Sequence, residues 1–285
     1  MNQPVTPSRD TSTAQAFSTS WNNLPGGSVY TAAQFADWMA PLGPDDLRGR
    51  RVLELGCGNA SLMVHAAGWK PARLVGVDLG DSVRSARVNM QRSTVDWEVL
   101  QGDLVEFESE GFDVAYCIGV LHHLKRPQAG FDAVVRNTRP GGRFHCWVYA
   151  REGNGVVRLI VEPVRRIACH LPWWVTKYLV ATPLVVPYFI YAKVLAGLTG
   201  GGSSGLARWL RALPLFDYSM WIARRDFAFF RHVAFDQLVT PQTAYVSRGE
   251  VDAWLRSNPA VALDSTYVIF RNGNSWKFGG RVVGG

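Results

Sequence analysis

Two glycines follow an apolar run early in the chain, in the segment VLELGCGNAS at residues 52–61. A run of this kind followed by Gly56 and Gly58 indicates a strand that turns tightly beneath a ligand, because a side chain at either glycine would hold the ligand off the backbone. A second apolar run, residues 73–77, ends at Asp78, and a carboxylate at the end of a strand can accept hydrogen bonds from both hydroxyls of a ribose. The spacing fits one βαβ unit and predicts a nucleoside cofactor.

The glycine spacing also discriminates between nucleoside cofactors. Ser61 stands where a dinucleotide-binding fingerprint has its third glycine, which weakens the case for a bound pyrophosphate. A cofactor without phosphate therefore fits the loop better.

The segment ELGCGN at residues 54–59 resembles the first motif of the class I S-adenosylmethionine-dependent methyltransferases. Four further resemblances follow in the family's order: VGVD at 75–78 to the segment with the ribose-binding acid, QGDL at 101–104 to the adenine-contacting segment, IGVLHHL at 118–124 to the segment after strand four, and RPGG at 139–142 to the turn before strand five. The resemblance implies a methyltransferase whose cofactor is S-adenosylmethionine. One departure is Ala60, where glycine is usual, and it affects only the fine positioning of the next helix.

The resemblance also implies which residues bind the cofactor. They are Glu54, Gly56, Gly58, Asn59, Asp78, Leu79, Gly102, Asp103, Leu104, Ile118 and Gly119. We expect Glu54 to anchor the amino group of the methionine moiety, with bracing of the loop as the alternative. We expect Asp103 to contact the adenine amine, although Asp is also favoured as a helix N-cap.

Two histidines and a tyrosine are candidates for chemistry on the methyl acceptor. His122 and His123 follow predicted strand four, where sulfonium and acceptor would meet, and an imidazole there can act as a general base. We favour His123 as the base and Tyr149 as a second group that handles a proton, with His122 contacting the acceptor. The alternatives are that the histidines cap a helix or brace the loop, and that Tyr149 is simply packed.

Three more residues are expected to reach the acceptor pocket. Trp21 belongs to a candidate cover over the cofactor, with packing on the sheet edge as the alternative. Asp236 and Tyr245 lie where the chain returns from an insertion, and we place them at the rim of the pocket. No metal site is expected, because the four cysteines lack metal-ligand spacing.

Apolar runs alternate with helical patterns and predict an α/β fold with a doubly wound, mostly parallel seven-stranded sheet. Strands are predicted near 51–56, 73–78, 95–100, 112–118 and 142–149, helices near 60–68, 81–91 and 128–138, and a closing antiparallel pair at 261–270 and 276–283. The helix expected after strand five appears only at residues 249–257, which predicts a helical insertion before it.

The predicted organisation has five parts. They are a disordered tail at 1–16, a helical cover at 17–50, the cofactor-binding α/β core at 51–150, a mostly helical, basic and aromatic insertion forming a substrate lid at 151–245, and a final helix with the closing strand pair at 246–285.

The formal net charge of +7 is concentrated in the insertion, where residues 151–245 contain eleven Lys or Arg against five Asp or Glu. Residues 156–168 have the pattern of a basic amphipathic helix. Residues 171–198 are apolar, but two lysines and two prolines interrupt them, so we expect no transmembrane helix. Scattered cysteines and a polar N-terminus without a signal sequence predict a cytoplasmic protein, with membrane association as an alternative.

Three interpretations of the insertion stay open. It is an ordinary helical cap with a solvated basic face, a lid whose residues 156–198 contact a membrane surface, or a surface for an anionic partner such as RNA. Aliphatic residues at 179–190 argue against nucleic acid. We expect a small apolar or lipid-like methyl acceptor, with an RNA methyltransferase and a non-catalytic S-adenosylmethionine-binding module as alternatives. The oligomeric state is left open.

Overall fold

A computed structural model of the chain describes residues 30–200, 205–213 and 215–284. The predicted tail at residues 1–16 and the candidate cover containing Trp21 lie outside the described residues.

Seven strands form one sheet in the order β3-β2-β1-β4-β5-β7-β6. The strands are β1 (Arg51–Leu55), β2 (Arg73–Asp78), β3 (Asp96–Gln101), β4 (Phe112–Ile118), β5 (Thr138–Tyr149), β6 (Val261–Arg271) and β7 (Ser275–Val282). Strands β1 to β5 are parallel to their neighbours among them, whereas β7 is antiparallel to β5 and to β6. The predicted doubly wound, mostly parallel sheet is therefore confirmed.

Helices cover both faces of the sheet. In the described ranges they are α1 (Ala32–Met39), α2 (Pro44–Leu47), α3 (Met63–Ala67), α4 (Val83–Met90), α5 (Pro127–Arg136), α6 (Gly155–Ala168), α7 (Thr182–Thr199), α8 (Gly205–Arg211), α9 (Phe216–Ala223), α10 (Phe227–Val239) and α11 (Arg248–Ser257). On one face, Phe131 of α5 and Trp254 of α11 pack against β1, β4 and β5. On the other, Phe35 of α1 and Met63 of α3 cover the opposite side of the sheet.

The parallel pairing explains why the predicted site residues come together. Because β1, β2 and β4 are adjacent and parallel, their carboxyl ends lie at one edge of the sheet. The loops that follow Leu55, Asp78 and Ile118 therefore meet at this edge. Alternate residues of each strand pack into opposite apolar layers, as with Leu53 and Val52 of β1.

The segment RPGG at residues 139–142 differs from its prediction. It lies inside β5, which begins at Thr138, and does not form a turn before the strand. The register shifts here: Thr138 faces Phe112, but the next paired residue of β5 is Arg143, facing Val114. The extra residues form a bulge, and a Cβ atom on Gly142 would lie 2.8 Å from the carbonyl oxygen of Arg139. The prediction of a turn was wrong because the strand absorbs the extra residues by bulging.

The insertion after β5 is helical, as predicted. A π-helical segment, Val175–Ala181, runs directly into α7. Helix α10 packs against α6, the π-helical segment and α7, while α9 packs along α7. Two small apolar cores hold this bundle together, one around Phe235 and the other around Phe230 and Ile222.

The prediction that prolines and lysines interrupt the apolar region was wrong. Pro183 occupies the first turn of α7, where a missing N–H costs little, and α7 continues through Pro187. Lys193 does not break it either, since its Nζ donates to the carbonyl oxygen of Ala223 at 2.7 Å. In the part of the chain that the structure describes, one helix, Val175–Thr199, is long and apolar enough by length and composition to cross a membrane, and 22% of its most apolar window is buried.

Candidate active site

The loop after β1 turns through two glycines in left-handed conformations, Gly56 with φ +81° and Gly58 with φ +52°. The N–H groups of Gly56 and Cys57 both donate to the carbonyl oxygen of Val77, at 2.7 and 3.1 Å. A Cβ atom on Gly56 would lie 2.5 Å from a methyl carbon of Val120, in the loop after β4. Glycine is thus required both for the turn and for the close approach of the two loops.

The carboxylate of Asp78 ties the loop after β1 to the loop after β2. Its Oδ2 accepts the N–H of Gly58 at 2.9 Å, and its Oδ1 accepts the N–H of Gly80 at 2.9 Å and the hydroxyl of Ser82 at 3.2 Å. Burial raises the pKa of this carboxyl, and the three hydrogen bonds oppose the rise. Asp78 therefore braces the cradle while its side chain lines the cavity above it.

Glu54, the next-to-last residue of β1, is only 2% exposed, and its Oε2 accepts a hydrogen bond from the hydroxyl of Tyr116 at 2.7 Å. Burial raises the pKa of Glu54 to about 8, the hydroxyl of Tyr116 lowers it, and the charge of Asp78 adds to the rise. Glu54 is thus mostly protonated at neutral pH. A cation bound beside it would favour the ionised form.

Loop residues after β2 and β3 complete the floor of the cavity. Asn59 is buried, and its Oδ1 accepts from the N–H and hydroxyl of Ser61, at 3.1 and 2.5 Å. Asp103 lines the cavity, while its Oδ1 accepts the N–H of Val105 at 2.9 Å. The turn-capping role considered for Asp103 is therefore present, and its proposed contact with adenine stays a prediction.

His123 lies in a short 3₁₀ turn, Leu121–His123, at the end of β4. Its Nδ1 is 3.1 Å from the carbonyl oxygen of Gln242 and 3.1 Å from the hydroxyl oxygen of Thr243. Because a carbonyl can only accept, Nδ1 carries the proton in that pairing and Nε2 is the basic nitrogen. Burial lowers the pKa of His123 to about 4, so the ring is neutral at physiological pH.

His122 is fully buried and does not line the cavity. Its ring lies between those of His123 and Tyr149, with centroid separations of 4.1 and 4.2 Å. Neither ring nitrogen of His122 has a hydrogen-bond partner among the described residues. Burial holds its pKa well below the usual range, so the ring packs as a neutral group behind His123.

Tyr149 lines the cavity, and burial raises the pKa of its phenol. It therefore stays protonated at neutral pH and can donate a hydrogen bond. Tyr245 stacks on it at 6.2 Å between centroids but does not itself line this cavity. Asp236 reaches the wall from α10, where its Oδ2 lies 3.1 Å from Nε2 of His232.

One cavity brings most of the predicted residues together; with its open mouth it encloses about 1690 Å³. The predicted residues that line it are Glu54, Gly56, Gly58, Asn59, Asp78, Leu79, Asp103, Leu104, Ile118, Gly119, His123, Tyr149 and Asp236. Gly102, His122 and Tyr245 stand outside its wall. Within the described ranges, no group of three or more His, Cys, Asp or Glu is placed to hold a metal ion.

Sequence reasoning missed the aromatic wall of the cavity. Its members are Tyr30, Trp38, Trp147, Tyr218, Trp221 and Phe229. Trp147 could have been found, because it lies two residues before Tyr149 on β5 and side chains two apart share a face of a strand. Trp221 and Phe229 had no such signal, since their position depends on how the insertion folds back over the sheet.

A family model described as a methyltransferase domain matches residues 53–146. The chain carries a class I S-adenosylmethionine-dependent methyltransferase domain. The matched residues run from β1 through most of β5, so the domain includes the glycine loop, Asp78 and His123. The predicted family is thereby confirmed.

Relatives of this methyltransferase domain align over less than half of the chain. A ubiquinone biosynthesis O-methyltransferase of Neisseria meningitidis is 31% identical over 42% of the chain and 52% of its own length. A tRNA U34 carboxymethyltransferase of Sulfurovum is 28% identical over 39% of the chain and 38% of its own length. The chain thus spans about half or less of the curated relatives it matches. An O-methyltransferase family protein of Burkholderia thailandensis shares the fold, with a TM-score of 0.51 and 12% identity over 89% of the chain and 57% of its own length.

The cavity of the methyltransferase domain fits S-adenosylmethionine, the cofactor of the family. The buried carboxyl of Glu54 is suited to an ammonium group, because a cation offsets the cost of ionising it. The half-buried carboxylate of Asp78 faces the cavity at the end of β2, where ribose hydroxyls are held in nucleoside-binding sheets. Apolar side chains of Leu79, Leu104 and Ile118 line the same space and suit an uncharged base. The individual contacts stay predictions.

Replacing Asp78 by Ala should weaken binding of S-adenosylhomocysteine by about 1–3 kcal/mol, because both the ribose hydroxyls and the loop amides lose their acceptor. Isothermal titration calorimetry measures the change. Asp78→Asn retains one acceptor oxygen and should lose less. Asp81→Ala, at an exposed neighbouring carboxylate, is the matched control and should bind like the wild type. Unchanged affinity in folded Asp78→Ala would defeat the ribose assignment.

Binding of S-adenosylhomocysteine should release protons if Glu54 pairs with the ligand's ammonium group. The pKa of Glu54 is about 8 without the ligand and should fall when a cation binds, so affinity should rise with pH up to about 8, by at most about tenfold per pH unit. Calorimetry in buffers of different ionisation enthalpy counts the protons. Glu54→Gln is the control: the ligand titrates equally in both proteins, so identical pH profiles would exclude the pairing.

Proposed function

We propose that this protein transfers a methyl group from S-adenosylmethionine to a small apolar acceptor. The observation that carries the proposal is the continuity of the cofactor cradle with an aromatic chamber in one cavity. The chamber walls are Trp38, Trp147, Tyr149, Tyr218, Trp221 and Phe229. Walls of this kind bind ligands with a large apolar body, and their few polar groups fix the orientation of the ligand.

The residues at the junction between cradle and chamber suit proton removal from the acceptor. The bound cofactor supplies a sulfonium whose methyl group passes in line to a nucleophile, as its bond to sulfur breaks. Nε2 of His123 is the basic nitrogen of a neutral ring, so it can take the proton that a hydroxyl or amine acceptor loses. Tyr149 stays protonated and can hold the acceptor by donating a hydrogen bond. Helices α9 and α10 cover the chamber and exclude water.

The comparisons support a small-molecule acceptor over RNA. Similarity to a ubiquinone biosynthesis O-methyltransferase favours a lipid-like acceptor, and similarity to a tRNA U34 carboxymethyltransferase favours RNA as the second candidate. The aromatic chamber is roofed by the insertion, which suits a compact apolar molecule better than a polynucleotide. An apolar acceptor partitions into lipid, so the proposal includes contact of residues 156–198 with a membrane surface.

The purified protein, incubated with S-adenosylmethionine labelled in its methyl group, should transfer label to a component of a bacterial total lipid extract. The label should partition into the organic phase, and S-adenosylhomocysteine should form in equal amount. Label in added total RNA, with none in lipid, would replace this proposal with the RNA alternative. Tight cofactor binding without any product would indicate a non-catalytic binding module.

Replacing His123 by Ala should lower turnover by about 10²-fold or more, because the acceptor loses its general base. Affinity for S-adenosylhomocysteine should stay nearly unchanged. His123→Asn separates the two possible roles, since an amide can still donate to the carbonyl of Gln242 but cannot remove a proton. Full activity in the Asn variant, with loss in the Ala variant, would make His123 a brace for the loop.

A further inference from the structure

The long helix Val175–Thr199 exposes an apolar stripe along its whole length. The stripe recurs at helical spacing and contains Leu179, Val186, Ile190, Val194 and Leu198, which are 63%, 38%, 57%, 55% and 53% exposed. We call these five residues the apolar stripe. Pro183 and Pro187, both exposed, fall on the same side. The stripe contains no charged residue.

The opposite side of the same helix is already occupied by protein. Val185, Ala192 and Leu195 are buried, and the core around them includes Ile222 of α9 and Phe230 of α10. A helix that is apolar on all sides is normally enclosed by protein or lipid. Here the protein encloses one side, so the apolar stripe is the side that lacks a cover in the described part of the chain.

The charges around the stripe have one sign. Between Glu162 and Asp217 the sequence contains no Asp or Glu, whereas it contains six Lys or Arg in that interval. The basic residues are Arg165, Arg166, Lys177, Lys193, Arg208 and Arg211. A surface that is apolar in its centre and basic at its margins is complementary to anionic lipid headgroups above acyl chains.

Aromatic residues add a third feature typical of a bilayer interface. Trp174 and Tyr178 are exposed at one end of the long helix, Tyr191 along it, and Trp209 on α8 beyond it, with exposures between 39% and 64%. Trp and Tyr are favoured at the headgroup level, where the ring is buried and the polar atom stays hydrated. Single exposed aromatics are ordinary, but four beside an uncharged stripe are not.

We propose that the apolar stripe docks in the plane of an anionic membrane surface, with the helix lying on the bilayer and not crossing it. The helix is attached along its inner side to α9 and α10. Crossing the bilayer would carry α9 and its neighbouring Asp217, Arg224 and Asp226 into the hydrocarbon, at a high cost in free energy. Lying in the interface buries the stripe and leaves these charges in water.

This orientation also gives the chamber a side that faces the lipid, a consequence that rests on the proposed function. Tyr218 of the chamber wall packs against Tyr188 of α7 at 6.1 Å between centroids, and Tyr188 packs against Phe230 at 5.7 Å. The inner side of the docked helix therefore contacts the elements that form the aromatic wall. An apolar acceptor would enter from the bilayer past α7 and α9 without crossing bulk water.

Vesicle flotation tests the docking. The full-length protein should float with phosphatidylcholine vesicles that contain about a third phosphatidylglycerol, and much less with phosphatidylcholine alone. Ile190→Glu should lower the partition coefficient about tenfold or more, because it places a charge in the apolar stripe. Val88→Glu is the matched control, since Val88 is 61% exposed on α4 of the core, and it should float like the wild type.

Calorimetry with S-adenosylhomocysteine on the same preparations separates this inference from the proposed function. Absence of flotation by protein that binds the ligand, or equal losses in both variants, would overturn the docking alone. A stable dimer that Ile190→Glu dissociates would assign the stripe to a second copy of the chain. Resistance of vesicle-bound protein to alkaline carbonate extraction would overturn the in-plane orientation in favour of a spanning helix.

Discussion

The carboxylate of Asp78 is the interaction on which the cofactor cradle depends. It accepts N–H groups from Gly58 and Gly80, and so fixes the loops after β1 and β2 relative to each other. The loop after β4 is fixed by a steric condition, because Val120 occupies the space that a side chain at Gly56 would need. Three loops from three adjacent parallel strands are thereby held at one edge of the sheet. A residue of this kind has both a structural and a ligand-binding role, so the two interpretations considered for it are not exclusive.

The insertion turns this edge into a chamber. The open end of a parallel sheet offers a cofactor only one wall, and water would reach the reacting atoms. Residues of α9 and α10 supply the missing cover, with Trp221 and Phe229 facing Trp38 and Trp147 across the cavity. His123 joins the two halves, since its Nδ1 bonds to the carbonyl oxygen of Gln242, where the chain returns from the insertion. The position of the proposed base is thus coupled to the position of the lid.

The sequence predicted the elements whose physics is local. Apolar runs gave β1, β2 and β4 almost to the residue, and parallel pairing then required Glu54, Asp78 and His123 to converge. It failed where tertiary packing decides. Pro187 reads as a helix breaker, yet the helix continues because α9 and α10 pack along it; RPGG at 139–142 reads as a turn, yet β5 absorbs it as a bulge. The burial of His122 behind His123 could not be read from two adjacent histidines, because it depends on the ring of Tyr149 from another strand.

The distribution of charge gives the molecule a direction of approach to an anionic surface. Six of the seven excess positive charges lie within residues 151–245, so the α/β core is close to neutral and the insertion is strongly basic. An electric field from anionic lipids attracts the basic part over about a Debye length, before any apolar contact forms. The same asymmetry keeps the apolar stripe in solution, because like charges around it oppose contact between two copies of the insertion. Long-range charge therefore orients the molecule, and apolar contact acts only after the insertion reaches the surface.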